Sequence, residues 1–214
     1  MDIGKAFTYI FDDEKWLTKV LFGGLFTILS SVLIGIPFIL GYMVETLRNV
    51  AADEPSPLPE WSDLGEKFTR GLSLAIALLI YSIPLIIFIC IATFIAGRAD
   101  DGTIAGLVST CFSCLYALYG LAFAVITPAI IMRYAATGEI MAAFQFGEII
   151  SLITQNLGNY IIAVILFFVA NFVASFGVIL CGVGVFFTSF WADLVMAHLL
   201  GQVYRQAGLE ATII

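Results

Sequence analysis

The stretch "VLFGGLFTILSSVLIGIPFILGYMVETLRNV", residues 20–50, decides how the chain is built. It is apolar throughout but interrupted at its centre by Gly35 and Pro37. An unbroken helix over residues 20–47 would reach about 42 Å, more than a hydrocarbon core of about 30 Å needs. Two readings follow. One is a single tilted and kinked span. The other is a hairpin of two short helices, near 20–34 and 37–50, turning at Gly35-Ile36-Pro37. Each arm would reach only about 22 Å, so such a hairpin would be re-entrant or would thin the bilayer locally.

Composition sets the class. The chain has 214 residues, 61% hydrophobic and 12% charged, with a mean hydropathy of +1.06. Soluble domains run near 45–50% apolar and about 25% charged. So much apolar surface has no place in a soluble fold of this size, and the reading is an integral membrane protein. The net charge of −7 argues against a nucleic-acid partner and against a polybasic patch for anionic lipid. The start, "MDIGKAFTYIFDDEKW", carries acids where a signal peptide would be basic, so the first apolar segments are expected to stay in the mature protein.

Outward from the opening stretch the chain divides further. Ile3, Ala6, Phe7, Ile10 and Phe11 make one helical stripe, and residues 2–13 are expected to lie as an interfacial helix. Residues 72–133 form a second hairpin, with Pro84 as an expected kink and "AGRADDGT" as its loop. The half-polar residues 138–154 read as another interfacial helix. Residues 159–205 form a third hairpin, turning at "CGVG". Charge arbitrates between the two readings of residues 20–50. A hairpin there puts eight of the nine Lys and Arg on one side and leaves only Arg98, beside Asp100 and Asp101, on the other. The positive-inside rule favours that asymmetry, with both termini and residues 53–71 in the cytoplasm. Amphipathic segments ahead of each hairpin suggest a weak internal repeat.

Residues 53–71 form the one long polar stretch. Pro55, Pro57 and Pro59 stiffen it into an extended strap. Trp61 suits the headgroup layer, and Asp63 with Glu66 has capping-box spacing at the start of a helix. The plain reading is a stiff linker. The functional reading is a docking strap of Pro55, Pro57, Pro59, Glu60, Trp61 and Asp63. The other candidate site consists of intramembrane polar residues, which are costly at depth. Asp193 lies near the middle of the last span, with His198 about 140° round the helix and closer in register to Gln202. Asn171 on the preceding helix is placed to bond Asp193. Glu45 and Arg48 are spaced to pair locally, and Arg133 anchors the end of a span. These residues either line a transport path or neutralise one another inside the bundle.

Catalytic and metal signatures are missing from the sequence. There is no Walker motif, GxSxG or HExxH. Cys111-Phe-Ser-Cys114 has CxxC spacing, but with no second pair nearby it reads as helix packing, as do Cys90 and Cys181.

The stretch "GYMVETLRNVAADEPSPLPEWSDLGEKFTRGL", residues 41–72, carries Gly41-Tyr42, Arg48, Leu58-Pro59-Glu60-Trp61, Asp63 and Gly71. In these it resembles an uncharacterised prokaryotic membrane-protein family, the domain of unknown function numbered 4013. Ser62 between Trp61 and Asp63 is a small variation on the family's pattern. The resemblance implies a bacterial or archaeal cytoplasmic membrane and brings no activity, cofactor or catalytic residue with it.

The sequence therefore predicts an all-α polytopic transmembrane helical bundle in one domain over 1–214. It has about six membrane segments, the first pair short enough to be re-entrant, plus interfacial amphipathic helices. The expected function is non-enzymatic: membrane organisation, or interaction with lipids, a protein partner or a second copy, with no cofactor and no nucleic acid. The alternative is a small transporter or channel subunit using the intramembrane polar residues.

Overall fold

The computed structural model describes residues 1–98, 102–180 and 182–207. Asp100, Asp101, Cys181 and the tail beyond Ala207 lie outside the described residues. Among the described residues the elements are helical. They are α1 (Ile3–Thr8), α2 (Trp16–Leu29), α3 (Ile36–Ala51), α4 (Leu64–Ala96), α5 (Gly102–Thr137), α6 (Phe146–Gln155), α7 (Leu157–Ser175) and α8 (Gly184–Gln206), with short 3₁₀ turns between them. α4, α5, α7 with its continuation to Ile179, and α8 are long and apolar enough to cross a membrane. The chain is a polytopic α-helical membrane protein.

Two compact units divide it. The first holds Met1–Ala75 together with the chain from Pro128, and the second is Ile76–Thr127.

The first unit is built round α8. From Leu194 to Tyr204 every residue of α8 is buried. Gly23 and Gly24 of α2 lie against the rings of Phe190 and Phe187, where a Cβ would overlap them. Tyr42 of α3 meets Phe190 with ring centroids 5.5 Å apart, and Val50 lies against Gly201. α3 therefore runs parallel to α8 and α2 antiparallel to it. The hydroxyl of Thr188 donates to the carbonyl of Ala174 at 2.6 Å, tying α7 to α8.

The break in residues 20–50 is a turn rather than a kink. Leu33 adopts a left-handed φ of 66°, its N–H donating to the Ser30 carbonyl at 2.9 Å. Pro37 sits in the first turn of α3, where a missing N–H costs nothing. Gly35 packs so closely on the Phe26 carbonyl that no side chain fits there. The tip is apolar and bare, with Val32, Leu33 and Ile34 all exposed. Ile179 and Leu180, at the turn between α7 and α8, are likewise exposed and lie at the same end of the unit.

The expected interfacial helix over 2–13 differs in the structure. α1 and the turn after it dock on α8, with Ala6, Tyr9 and Ile10 fully buried while Ile3 and Phe11 stay exposed. The amphipathic segment expected ahead of the second hairpin is not separate from it either, since α4 begins at Leu64 and continues unbroken. Pro84 and Pro128 sit inside continuous helices. The half-polar segment becomes a 3₁₀ turn over Ile140–Phe144 followed by α6, which buries Ile149 and Leu152.

In the second unit the Tyr119 hydroxyl donates to the Tyr81 carbonyl, joining α4 to α5. The thiols of Cys90, Cys111 and Cys114 are free and exposed there, and the Arg98 guanidinium lies 4.3 Å over the Phe94 ring.

Candidate functional site

Residues 52–63 leave α3 through Asp53, at φ 59°, and enter α4 through Asp63, at φ 50°. Between these points the strap is clamped. Three successive carbonyls each accept a hydrogen bond from a different neighbour. Asn49 Nδ2 donates to Pro57 at 3.0 Å, Lys19 Nζ to Leu58 at 2.8 Å and the Tyr42 hydroxyl to Pro59 at 2.8 Å. Leu58 and Pro59 are buried.

Trp61 completes the clamp. Its ring stacks on Phe26 at 4.8 Å and on Tyr42 at 4.4 Å, and its indole N–H donates to the Lys19 carbonyl at 2.9 Å. The Trp61 ring is held by contacts within the protein, which the sequence did not suggest. Its aromatic area and its one N–H are both used inside the protein, in a cluster with Phe38, Phe68 and Phe190. Of the six strap residues named from sequence, Pro59 is buried and Pro57 and Trp61 are half-buried. Pro55, Glu60 and Asp63 remain exposed. The expected capping box does not form, because Glu66 pairs with Arg70 one turn on.

Lys19 is the pivot. Only 4% exposed, its ammonium reaches Asp13 at 2.7 Å and Glu60 at 3.4 Å besides the Leu58 carbonyl. Asp13 also accepts from the Lys15 N–H at 2.8 Å and the Ser56 hydroxyl at 3.1 Å. Burial opposes ionisation of Asp13, but these donors and the Lys19 charge outweigh it and hold the carboxyl below the usual carboxylate range. Lys15 pairs with Glu60 at 3.4 Å on the outer side.

Below the strap's first residues lies a polar cavity of about 320 Å³, lined among others by Asp2, Lys5, Tyr9, His198, Gln202 and Arg205. Gln202 holds the start of the chain from both sides. Its Oε1 accepts from the Asp2 N–H at 2.5 Å and its Nε2 donates to the Asp2 carbonyl at 2.9 Å. That fixes the amide, so the 2.9 Å contact to His198 Nδ1 is donated by Gln202 and the imidazole proton sits on Nε2. The Tyr9 ring lies 4.3 Å from the His198 ring. Arg205 pairs with Asp53 at the cavity's edge.

The other intramembrane polar residues do not converge. Asn171 is exposed and donates to the Phe167 carbonyl of its own helix at 3.0 Å, so the expected bond to Asp193 is corrected. Asp193 is half-buried and has no hydrogen-bond or ion partner among the described residues. Glu45 and Arg48 do not pair with each other. Glu45 meets the buried Lys67 at 2.8 Å, and Arg48 donates to the Ala135 carbonyl at 2.6 Å, near the end of α5. Arg133 reaches Gln145 at 2.6 Å. Among the described residues no group of three His, Cys, Asp or Glu is placed to hold a metal ion.

Sequence reasoning missed the partners of the clamp. Tyr42 stood out only in the family resemblance, Asn49 and Asp13 have ordinary local sequence, and only the fold brings the donors Tyr42 and Asn49 and the acceptor Asp13 to the strap. Lys19 carried a signal, since a lysine one turn inside an apolar helix needs a partner to be buried.

Outside the clamp, α2 and the strap enclose a groove of about 540 Å³. Lys15, Thr18, Lys19 and Glu60 line one part of it, and Phe22, Leu25, Phe26, Trp61 and Leu64 the rest. Lys15, Thr18, Phe22 and Leu25 fall on one stripe of α2, so the groove grades from charged at the strap end to apolar towards the hairpin tip.

Gly41 and Gly71 explain the close seat of α4 on α3. A Cβ on Gly41 would overlap the Lys67 carbonyl, and one on Gly71 the Pro37 carbonyl. Gly41, Tyr42, Pro59, Trp61 and Gly71 thus belong to one junction of α3, strap and α4. No curated protein and no solved structure shows a significant match to the chain. A family model described as "Protein of unknown function (DUF4013)" matches residues 24–183, taking in the second part of α2, α3, the strap and α4 to α7. On that match the chain belongs to the DUF4013 family of membrane proteins.

Proposed function

We propose that this protein acts without catalysing a reaction, as a membrane-organising protein that binds lipid at its strap-bearing end. The observation that carries the reading is the groove of about 540 Å³ between α2 and the strap, charged at one end and apolar at the other. A phospholipid has the same polarity along its length. The strap forms one wall, and its clamped backbone gives that wall a fixed shape before any ligand arrives.

Orientation follows from charge. Lys5, Lys15, Lys19, Arg48, Lys67, Arg70, Arg133 and Arg205 belong to the first unit and gather round the strap, the cavity and the neighbouring helix ends. By the positive-inside rule that end, with both termini, faces the cytoplasm. The bare apolar tip of α2–α3 then dips into the hydrocarbon as a short membrane hairpin, adding two segments to the four long helices. A protein partner or second copy would meet the strap on its exposed face, at Asp53, Glu54, Pro55 and Ser56.

The test is lipid phosphorus per chain after purification in mild detergent. Leu25→Trp fills the groove and is expected to lower the bound phospholipid by about one molecule per chain, a site-sized change. Equal phosphorus in wild type and variant would refute lipid binding there.

A second reading, a small transporter or channel subunit, is favoured by one observation. Asp193 lies within a membrane helix with no polar partner among the described residues. Asp193→Asn is expected to abolish a proton-dependent flux in proteoliposomes on that reading. An unchanged flux would remove it.

A further inference from the structure

The groove that carries the functional reading also has a headgroup preference written into its mouth. We infer that it selects a zwitterionic phospholipid with a primary ammonium, phosphatidylethanolamine, over anionic and quaternary-ammonium lipids. The inference rests on the proposal that lipid occupies this groove.

The mouth is electrically balanced. Lys15 and Glu60 line it with one charge each, and Lys19, which also lines it, has its charge met by Asp13 outside the groove. An anionic headgroup would meet no net attraction there, in a chain whose own net charge is −7. A headgroup carrying one charge of each sign matches it.

The two inner charges are already used. Lys19 spends its protons on Asp13 at 2.7 Å and the Leu58 carbonyl at 2.8 Å. The two outer charges are held more loosely. Glu60 stands 3.4 Å from both Lys15 and Lys19, beyond the 2.7–2.9 Å or so of a strong charged hydrogen bond. Lys15 and Glu60 are more than half exposed, at 67% and 54%. Lys15 is thus available to a phosphate oxygen and Glu60 to an ammonium.

Glu60 separates ethanolamine from choline. A primary ammonium has three N–H donors for the carboxylate, and a trimethylammonium has none. Quaternary ammonium groups are recognised instead by open aromatic faces. Of the aromatics that line the groove, Trp61 and Phe26 are stacked on one another and Trp61 also on Tyr42, and Phe22 lies two turns along α2 from Lys15, at the apolar end. Below the mouth, Phe22, Leu25 and Leu64 are 41–49% exposed, which leaves an apolar track for an acyl chain.

The test is native mass spectrometry of the full chain, stripped of lipid and titrated separately with palmitoyl-oleoyl phosphatidylethanolamine, phosphatidylcholine and phosphatidylglycerol. The expected result is one molecule of the ethanolamine lipid retained about fivefold more strongly than the other two, the worth of one partly exposed charged hydrogen bond. Glu60→Gln is expected to erase the difference between ethanolamine and choline lipids, and Lys15→Ala to weaken all three. Both side chains are solvent-exposed, and an unchanged melting temperature for each variant confirms its fold. One lipid retained with equal strength whatever its headgroup overturns this inference while leaving lipid binding intact. Preference for phosphatidylglycerol overturns it as well. Retention of none of the three overturns both.

Discussion

Replacing Lys19 with methionine removes the ammonium that holds the strap while keeping the side chain's length and apolar volume. Two losses follow. The buried Leu58 carbonyl loses a charged donor at 2.8 Å, worth about 1.5–3 kcal/mol. Asp13, with a side chain only 8% exposed, loses its counter-charge at 2.7 Å, and breaking one partner out of a buried pair costs about 3–5 kcal/mol. The sum overstates the effect. Asp13 keeps the Lys15 N–H and the Ser56 hydroxyl, and the Glu60 side of the site is open to water. The expected destabilisation is about 3 kcal/mol, at the low end of the range for a broken buried pair. Denaturant titration in mixed micelles, read by tryptophan fluorescence, measures it. Asp13→Asn and the double variant complete a cycle. The double variant is expected to be more stable than the sum of the single losses predicts, since it leaves no unpaired carboxylate. Additivity within about 0.5 kcal/mol would mean that the two charges are uncoupled, and the clamp argument would fail. The pH dependence has a definite sign. The folded Asp13 carboxyl is held below its usual range, so its contribution is fully present above the unfolded carboxylate pKa. It is lost as pH falls through the lower folded value. Lys19→Met is therefore expected to flatten the acid limb of the stability profile.

Gly71→Ala drives a Cβ into the Pro37 carbonyl, and because the obstacle is backbone it is expected to cost about 1–3 kcal/mol or more. Gly65→Ala, on the same helix with open space round it, is expected to stabilise by about 0.5–1 kcal/mol, and the same titration compares the two. A cysteine at Ser56, in a background lacking the four native cysteines, is expected to resist an impermeant maleimide in intact cells and to react once the membrane is opened. Labelling from outside would invert the proposed orientation. Ile34→Lys at the hairpin tip is expected to cost about 2–3 kcal/mol in bilayers if the tip lies in hydrocarbon. A change within about 0.5 kcal/mol would place the tip in water.

Which features were legible in the sequence follows from the range of the forces involved. The turn at residues 33–35 was legible because it is local. Gly35 and Pro37 act on their own backbone, and the length of the apolar run demands a break. Even so, the left-handed residue is Leu33, two positions earlier than the expected turn. The membrane class was legible because hydropathy sums over the whole chain. The central place of α8 was not read, although its sequence carried a sign of it. Among the long helices it has the lowest hydropathy and the highest burial. A helix wrapped by other helices need not be oily, since it never meets lipid and its polar groups find protein partners. His198 and Gln202 have such partners. Treated as one more span, α8 made Asp193 and Asn171 seem close, when Asn171 in fact points away from the core of its unit.

The strap was legible as stiff, but its stiffness had been connected to reach and angle rather than to burial. Its chemistry makes the other connection. A segment of backbone can enter an apolar cleft only if its N–H and C=O groups find partners there. Proline at every second position removes half of the N–H donors before the segment is buried. What remains is chiefly a row of acceptors, and the fold meets three of them with one donor each from Asn49, Lys19 and Tyr42. A strap of the same length without Pro57 and Pro59 would bring two more N–H groups to its half-buried and buried part, each needing an acceptor there. The alternation of prolines thus suits a chain that must lie between two helices without joining either one. It also suits Trp61, whose indole N–H donates inward to the Lys19 carbonyl.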